Sequence, residues 1–238
     1  MTAAPRPSLW QRILERLQAG GRALRALIHQ PTDPTDNVAF SIAFIALAAK
    51  LAKADGVVTR DEVTMFRRVF EIPPEEERNA ARVYDLCRQD TTGYEAYARQ
   101  LSRALGSSEA ADTLREDVLD GLFHIAMADG EYHPAEDAFL RRTAEIFAVP
   151  DAAFARLMAR HVPDARDPFL ILGVEPDVTA EELRVARRTF LRENHPDRLV
   201  SKGLPPEMIE LATARVAAYN DAHSEVLALV RSRAGEGG

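Results

Sequence analysis

Two groups of residues carry side chains at spacings suited to chemistry. The first is the run Asn194-His195-Pro196-Asp197-Arg198. A residue ahead of proline is pushed out of the α region, and proline fixes its own backbone angle. A helix arriving at His195 must therefore end there, and His195 and Asp197 stand on a stiff, exposed bend. Just upstream, Arg184, Arg188 and Arg192 recur at every fourth residue, the spacing of one helix ridge. Arg198 and Lys202 extend the positive surface. A rigid polar tip beside a cationic ridge is suited to docking on an acidic protein partner.

The second group is acidic. Asp55-Gly56 matches Asp129-Gly130 and Glu62 matches Glu136, each pair 74 residues apart. The four carboxylates Asp55, Glu62, Asp129 and Glu136 are candidates for a divalent-metal site shared by the two segments. The competing reading is that they cap helices and solvate turns. An EF-hand loop is excluded. Its first two carboxylate positions hold Leu51 and Lys53 in one segment, and Ile125 and Met127 in the other.

The elements that must position these residues read as helices throughout. Alanine, leucine, arginine and glutamate dominate, and 12 glycines in 238 residues are few for a chain of tight turns. Runs of alternating Val, Ile and Thr are absent, so the expected class is all-α. Residues 8–28 form a basic amphipathic helix interrupted at Gly20-Gly21, which ends before Pro31 and Pro34. The most apolar run, Val38–Ala49, is too short to span a bilayer and reads as a buried helix.

The matching acidic segments belong to a longer degenerate repeat. LAKADGVVTRDEVTMFRRVFEIPPEE and HIAMADGEYHPAEDAFLRRTAEIFAVPDA each spell helix, glycine stop, short turn, helix, proline. Two helical stretches, about 75–89 and 92–105, lie between them. The repeat predicts two pseudo-equivalent helical hairpins around a shared core. His124 is expected on a helix facing a polar seam.

Residues 161–166 (HVPDAR) read as a linker. Beyond it, 167–174 (DPFLILGV) makes a short apolar turn, and Thr179 caps a helix from about Ala180 to Asn194. A final helix starts at Pro205-Pro206. Leu183, Ala186 and Phe190 on the first of these helices face a stripe on the second that includes Leu211, Tyr219, Ala222 and Val226. The expected divisions are 1–35, a basic N-terminal segment; 36–161, a helical domain; and 162–238, a C-terminal domain.

Charge and cysteine content narrow the function. The net charge is −7, yet residues 1–29 hold five arginines and one glutamate, so the remainder carries −11. An acidic body argues against a nucleic-acid binder. One cysteine, Cys87, excludes an internal disulfide and Cys-x-x-Cys zinc ligation, and fits a reducing compartment. No phosphate-cradling glycine loop, nucleophile elbow or strand pattern is present, so neither an enzyme nor a bound cofactor is expected. The N-terminus lacks the continuous apolar core of a signal peptide. The expected location is the cytoplasm, with the 8–28 helix lying on the inner membrane surface, docking on the helical domain or mediating dimerisation.

The order DPFLILGV, capped helix, HPDRL, proline-started helix containing AAYNDAHSEVL resembles the J domain of the DnaJ family over about 167–230. That resemblance implies a co-chaperone. The His-Pro-Asp loop and the basic helix before it would dock on a DnaK-type chaperone and stimulate its ATP hydrolysis. The implied contact residues are His195, Pro196, Asp197, Arg184, Arg188 and Arg198. Two positions depart from the family pattern: Arg187 stands where tyrosine is usual, and His223 where an aromatic residue is usual. With its preceding helical repeat, the chain resembles the DjlA type, in which a TerB-like domain, here about 36–161, precedes the J domain. Under this reading the TerB-like domain targets the co-chaperone to a partner of unknown identity. The alternative is a stress-response scaffold, in which that domain binds metal or a partner and the J domain only recruits DnaK.

Overall fold

The computed structural model describes residues 9–18, 37–53, 60–70, 72, 74–89, 93–194 and 206–236. Its described residues form α-helices, two short 3-10 turns and no strand, as the composition predicts. The helices are α1 (Leu9–Gln18), α2 (Asn37–Leu51), α3 (Arg60–Val69), α4 (Glu77–Gln89), α5 (Tyr94–Leu105) and α6 (Glu109–Ala126). They continue with α7 (Pro134–Phe147), α8 (Asp151–His161), α9 (Pro168–Leu172), α10 (Ala180–Glu193) and α11 (Pro206–Glu236).

Helix α2 forms the axis of the larger core. Every residue from Ser41 to Ala49 is buried, because a helix apolar all round has no face to give to solvent. Helices α1, α4, α5 and α6 pack around it. Phe44, Ile45 and Leu47 are fully buried, each worth about 1.5–3 kcal/mol of transfer free energy. The apolar face of α1 joins this core: Trp10, Ile13 and Leu14 are buried, and α1 lies against α4. Of the three readings of the N-terminal helix, Leu9–Gln18 therefore takes the docked one. The rest of the 8–28 stretch lies outside the described residues.

The second copy of the repeat folds as its residues dictate. Helix α6 gives way to a turn in which Gly130 has φ 86°, a conformation that favours glycine. His133 is the N-cap of α7 and Pro134 occupies its first turn. Residues 54–59, the turn of the first copy, lie outside the described residues.

A smaller core gathers Ile171 and Leu172 of α9, Leu183 of α10, and Tyr219, Ala222 and Val226 of α11. Ala159 of α8 also belongs to it, so the helical body contributes directly. Conversely Leu211, at the start of α11, is buried in the larger core. The expected single stripe on α11 is thus divided between two cores. The HVPDAR segment is packed rather than extended. His161 ends α8 with its side chain 7% exposed, Val162 is buried, and Pro163–Ala165 form a 3-10 turn.

Candidate functional site

Helix α10 is held at both ends. At its start Thr179 and Glu182 form a reciprocal cap: the Thr179 N–H donates to Glu182 Oε2 at 2.9 Å, and the Glu182 N–H donates to Thr179 Oγ1 at 3.2 Å. The Thr179 N–H, and then the Thr179 hydroxyl, donate to Glu182 Oε2 and hold its carboxyl below the usual range. At its end the Asn194 side chain donates to the Phe190 carbonyl at 2.9 Å. The Phe190 ring stacks on Tyr219 at 3.7 Å and 8°, which fixes α10 against α11. Upstream, Asp167 caps α9 by accepting the Phe169 and Leu170 N–H groups, and Gly173 ends it in the left-handed conformation.

This framework presents a cationic groove between α10 and α11, a cavity of about 500 Å³. Its lining includes Arg184, Arg187, Arg188 and Arg231, and no carboxylate among the described residues. Arg184 pairs with Glu181 at the groove's outer edge and remains about two-thirds exposed. Arg188 is exposed. Arg192 does not continue this ridge. Two steps of four residues rotate a helix by about 80°, and Arg192 lines a different cleft, with its head near Glu193. His195, Pro196, Asp197 and Arg198 lie outside the described residues, immediately beyond Asn194.

Arg187 and His223, the two departures from the J-domain pattern, face one another in the groove. Arg187 donates to Asn220 Oδ1 at 3.3 Å. Burial, and then the Arg187 charge, push the His223 imidazole below its usual value. A guanidinium on α10 thus meets a neutral ring on α11.

The second cleft, about 690 Å³, opens between the helical body and the C-terminal helices. It runs from Glu116, Asp120 and Arg160 to Arg192, Glu193 and Asn194, the residues that lead into His195. Two buried ionic links cross this region. Arg215 of α11 pairs with Asp117 of α6. Asp120 Oδ1 accepts from Arg160 Nη1 at 2.7 Å and lies 2.7 Å from His161 Nε2. Burial alone would raise the Asp120 carboxyl, but the Arg160 charge and the His161 contact outweigh it and hold the carboxyl well below the carboxylate range. The His124 ring meets His161 edge-on at 4.5 Å, on the polar seam expected for it.

Of the four acids considered for metal, Asp129 closes the turn before α7 and Glu136 caps that helix. Asp129 Oδ1 accepts the Glu131 N–H and Glu136 Oε2 accepts the His133 N–H, both at 3.0 Å. Asp55, and the side chain of Glu62, lie outside the described residues. Sequence reasoning missed Asp117, Asp120, Arg160, His161 and Arg215. Asp120 and His124 do carry a signal, a helical four-residue step on α6. Their partner His161 falls 37 residues after His124, in a segment that reads as a linker. Among the described residues no helix is long and apolar enough to cross a membrane.

The sequence profile of the family described as tellurite resistance protein TerB matches residues 41–159. The co-chaperone protein DjlA of Shewanella oneidensis is 26% identical over 241 residues, covering 90% of this chain and 87% of that protein. The DjlA of Coxiella burnetii is 25% identical over 197 residues, covering 74% and 72%. The DjlA of Escherichia coli is 32% identical over a shorter span of 122 residues, 41% of this chain and 45% of that protein. No solved structure gives a significant match.

Proposed function

The chain belongs to the TerB family, and from its similarity to DjlA proteins and its groove geometry we propose that it is a co-chaperone acting on a DnaK-type chaperone. The cationic groove carries this reading. Four arginines, with no carboxylate among the described lining residues, suit an acidic protein surface. The groove lies along α10, whose end leads into His195-Pro196-Asp197. Arg184, Arg188 and Arg198 steer and hold the chaperone. His195, Pro196 and Asp197 are the residues that stimulate its ATP hydrolysis. The TerB domain directs the complex to a partner, and the chain works in the cytoplasm without chemistry of its own.

The test is equilibrium binding of DnaK to the full chain. Reversing two groove charges, Arg184→Glu with Arg188→Glu, lowers affinity by roughly tenfold or more, which corresponds to about 1.4 kcal/mol. The wild-type affinity also falls as salt rises. Affinity unchanged by the double reversal would remove the groove from the account.

A further inference from the structure

The geometry points to a site for a transition-metal ion of the zinc class at Asp120, His124 and His161, where α6 meets the end of α8. One ligand atom from each of the three lies within 4.8 Å of the others. Two imidazoles and a carboxylate suit Zn²⁺, Co²⁺ or Ni²⁺, whereas Ca²⁺ and Mg²⁺ prefer oxygen alone. This site is separate from the proposed chaperone contacts and from the four acids of the repeat.

The second observation is an orphaned oxygen. Asp120 is 1% exposed, and its Oδ2 is buried without a hydrogen-bond partner among the described residues. Buried carboxylate oxygens are normally satisfied, and leaving one bare is costly. The other oxygen, Oδ1, is held by Arg160 and His161. Arg160 then orients the carboxylate from outside, as partners of metal ligands commonly do. Its positive charge opposes a cation, and the carboxylate it shares with the ion offsets only part of that opposition.

Metal entry asks for one exchange. His161 gives up its contact with Oδ1 and turns its nitrogen to the ion, and any proton on that nitrogen leaves to solvent. Asp120 lines the cleft of about 690 Å³, which offers a path for the ion and room for water as a further ligand. Bound there, the ion ties His161, the first residue of the segment leading to α9, to α6.

Titration of chelator-treated full-length protein with Zn²⁺ tests the site, with Co²⁺ as a coloured substitute. One equivalent binds, and His124→Ala, a change at a half-buried position, weakens binding by roughly 100-fold or more, since even outer partners of a metal are worth about 10–100-fold. In wild-type protein the imidazole resonances of His124 and His161 both shift with Zn²⁺, a readout that holds whether or not the variant folds. Absence of saturable binding, equal binding by a folded His124→Ala protein, or shifts confined to other histidines overturns the proposal.

Discussion

Arg215 of α11 donates to Asp117 of α6 across the meeting of the two cores, with 8% of one side chain and none of the other exposed. A carboxylate and a guanidinium withdrawn from water stabilise little by themselves, but each is costly to leave alone. The pair therefore sets where α11 sits on the helical body, and with it where α10 is held.

Removing one member of that pair exposes the cost. Arg215→Ala strands the Asp117 carboxylate and destabilises the chain by about 3–5 kcal/mol. Arg215→Met combined with Asp117→Leu restores most of that loss, because no buried charge remains. Denaturant unfolding of the single and double variants checks both values. A single variant as stable as the wild type would mean that the pair is solvated.

Gly121 lets the same surfaces come close. A Cβ there would lie 2.7 Å from a methyl of Leu211 and 2.9 Å from the tip of the Phe44 ring. Alanine gains about 1 kcal/mol of helix propensity over glycine. Overpacking against two buried side chains costs about 1–3 kcal/mol. Gly121→Ala is expected to be destabilising on balance, with faster amide exchange in the first turns of α11. Unchanged exchange there would show that Leu211 moves aside freely.

His223 gives the groove a pH signature. Its folded-state value lies below that of the unfolded chain, through burial and then the Arg187 charge. As pH falls through the unfolded imidazole value of about 6.5, the unfolded chain takes up a proton that the folded chain resists. Stability is therefore lost on acidification and regained on return to neutral pH. His223→Phe removes this slope, and Arg187→Gln reduces it. Thermal unfolding of the three proteins between pH 5.5 and pH 7.5 (about one unit either side of 6.5) measures it, and parallel profiles would contradict the assignment.

The cap of α10 is testable by itself. Thr179→Ala removes an N-cap worth about 1 kcal/mol, and its effect is local fraying. Amide exchange rises at residues 180–184 while the larger core is unchanged. Equal protection would show that packing of Leu183 alone holds the helix start.

Much of this architecture is legible in the residues because local rules decide it. The apolar run of α2, the Thr179 cap and the Gly173 stop each follow from side chains close in sequence. The polar seam is not legible in the same way. Arg215 and Asp117 are 98 residues apart, and Asp120 and His161 are 41 apart. Nothing local says that they meet. His161 also sits beside Val162-Pro163, a composition that imitates a linker, yet burial of Val162 and pairing to Asp120 hold it in place. Arg192 shows the limit of periodicity. Every fourth residue is a good rule over one step, but over two steps the helix has turned the side chain into the other cleft.

As proposed, His195-Pro196-Asp197 stimulates a DnaK-type ATPase. Single-turnover ATP hydrolysis by DnaK, with wild-type protein and with His195→Gln side by side, tests it most directly. The account predicts faster hydrolysis with wild type and none of that acceleration with His195→Gln, while the variant keeps the helical content and unfolding midpoint of the wild type. Acceleration that survives His195→Gln in a folded protein would contradict it.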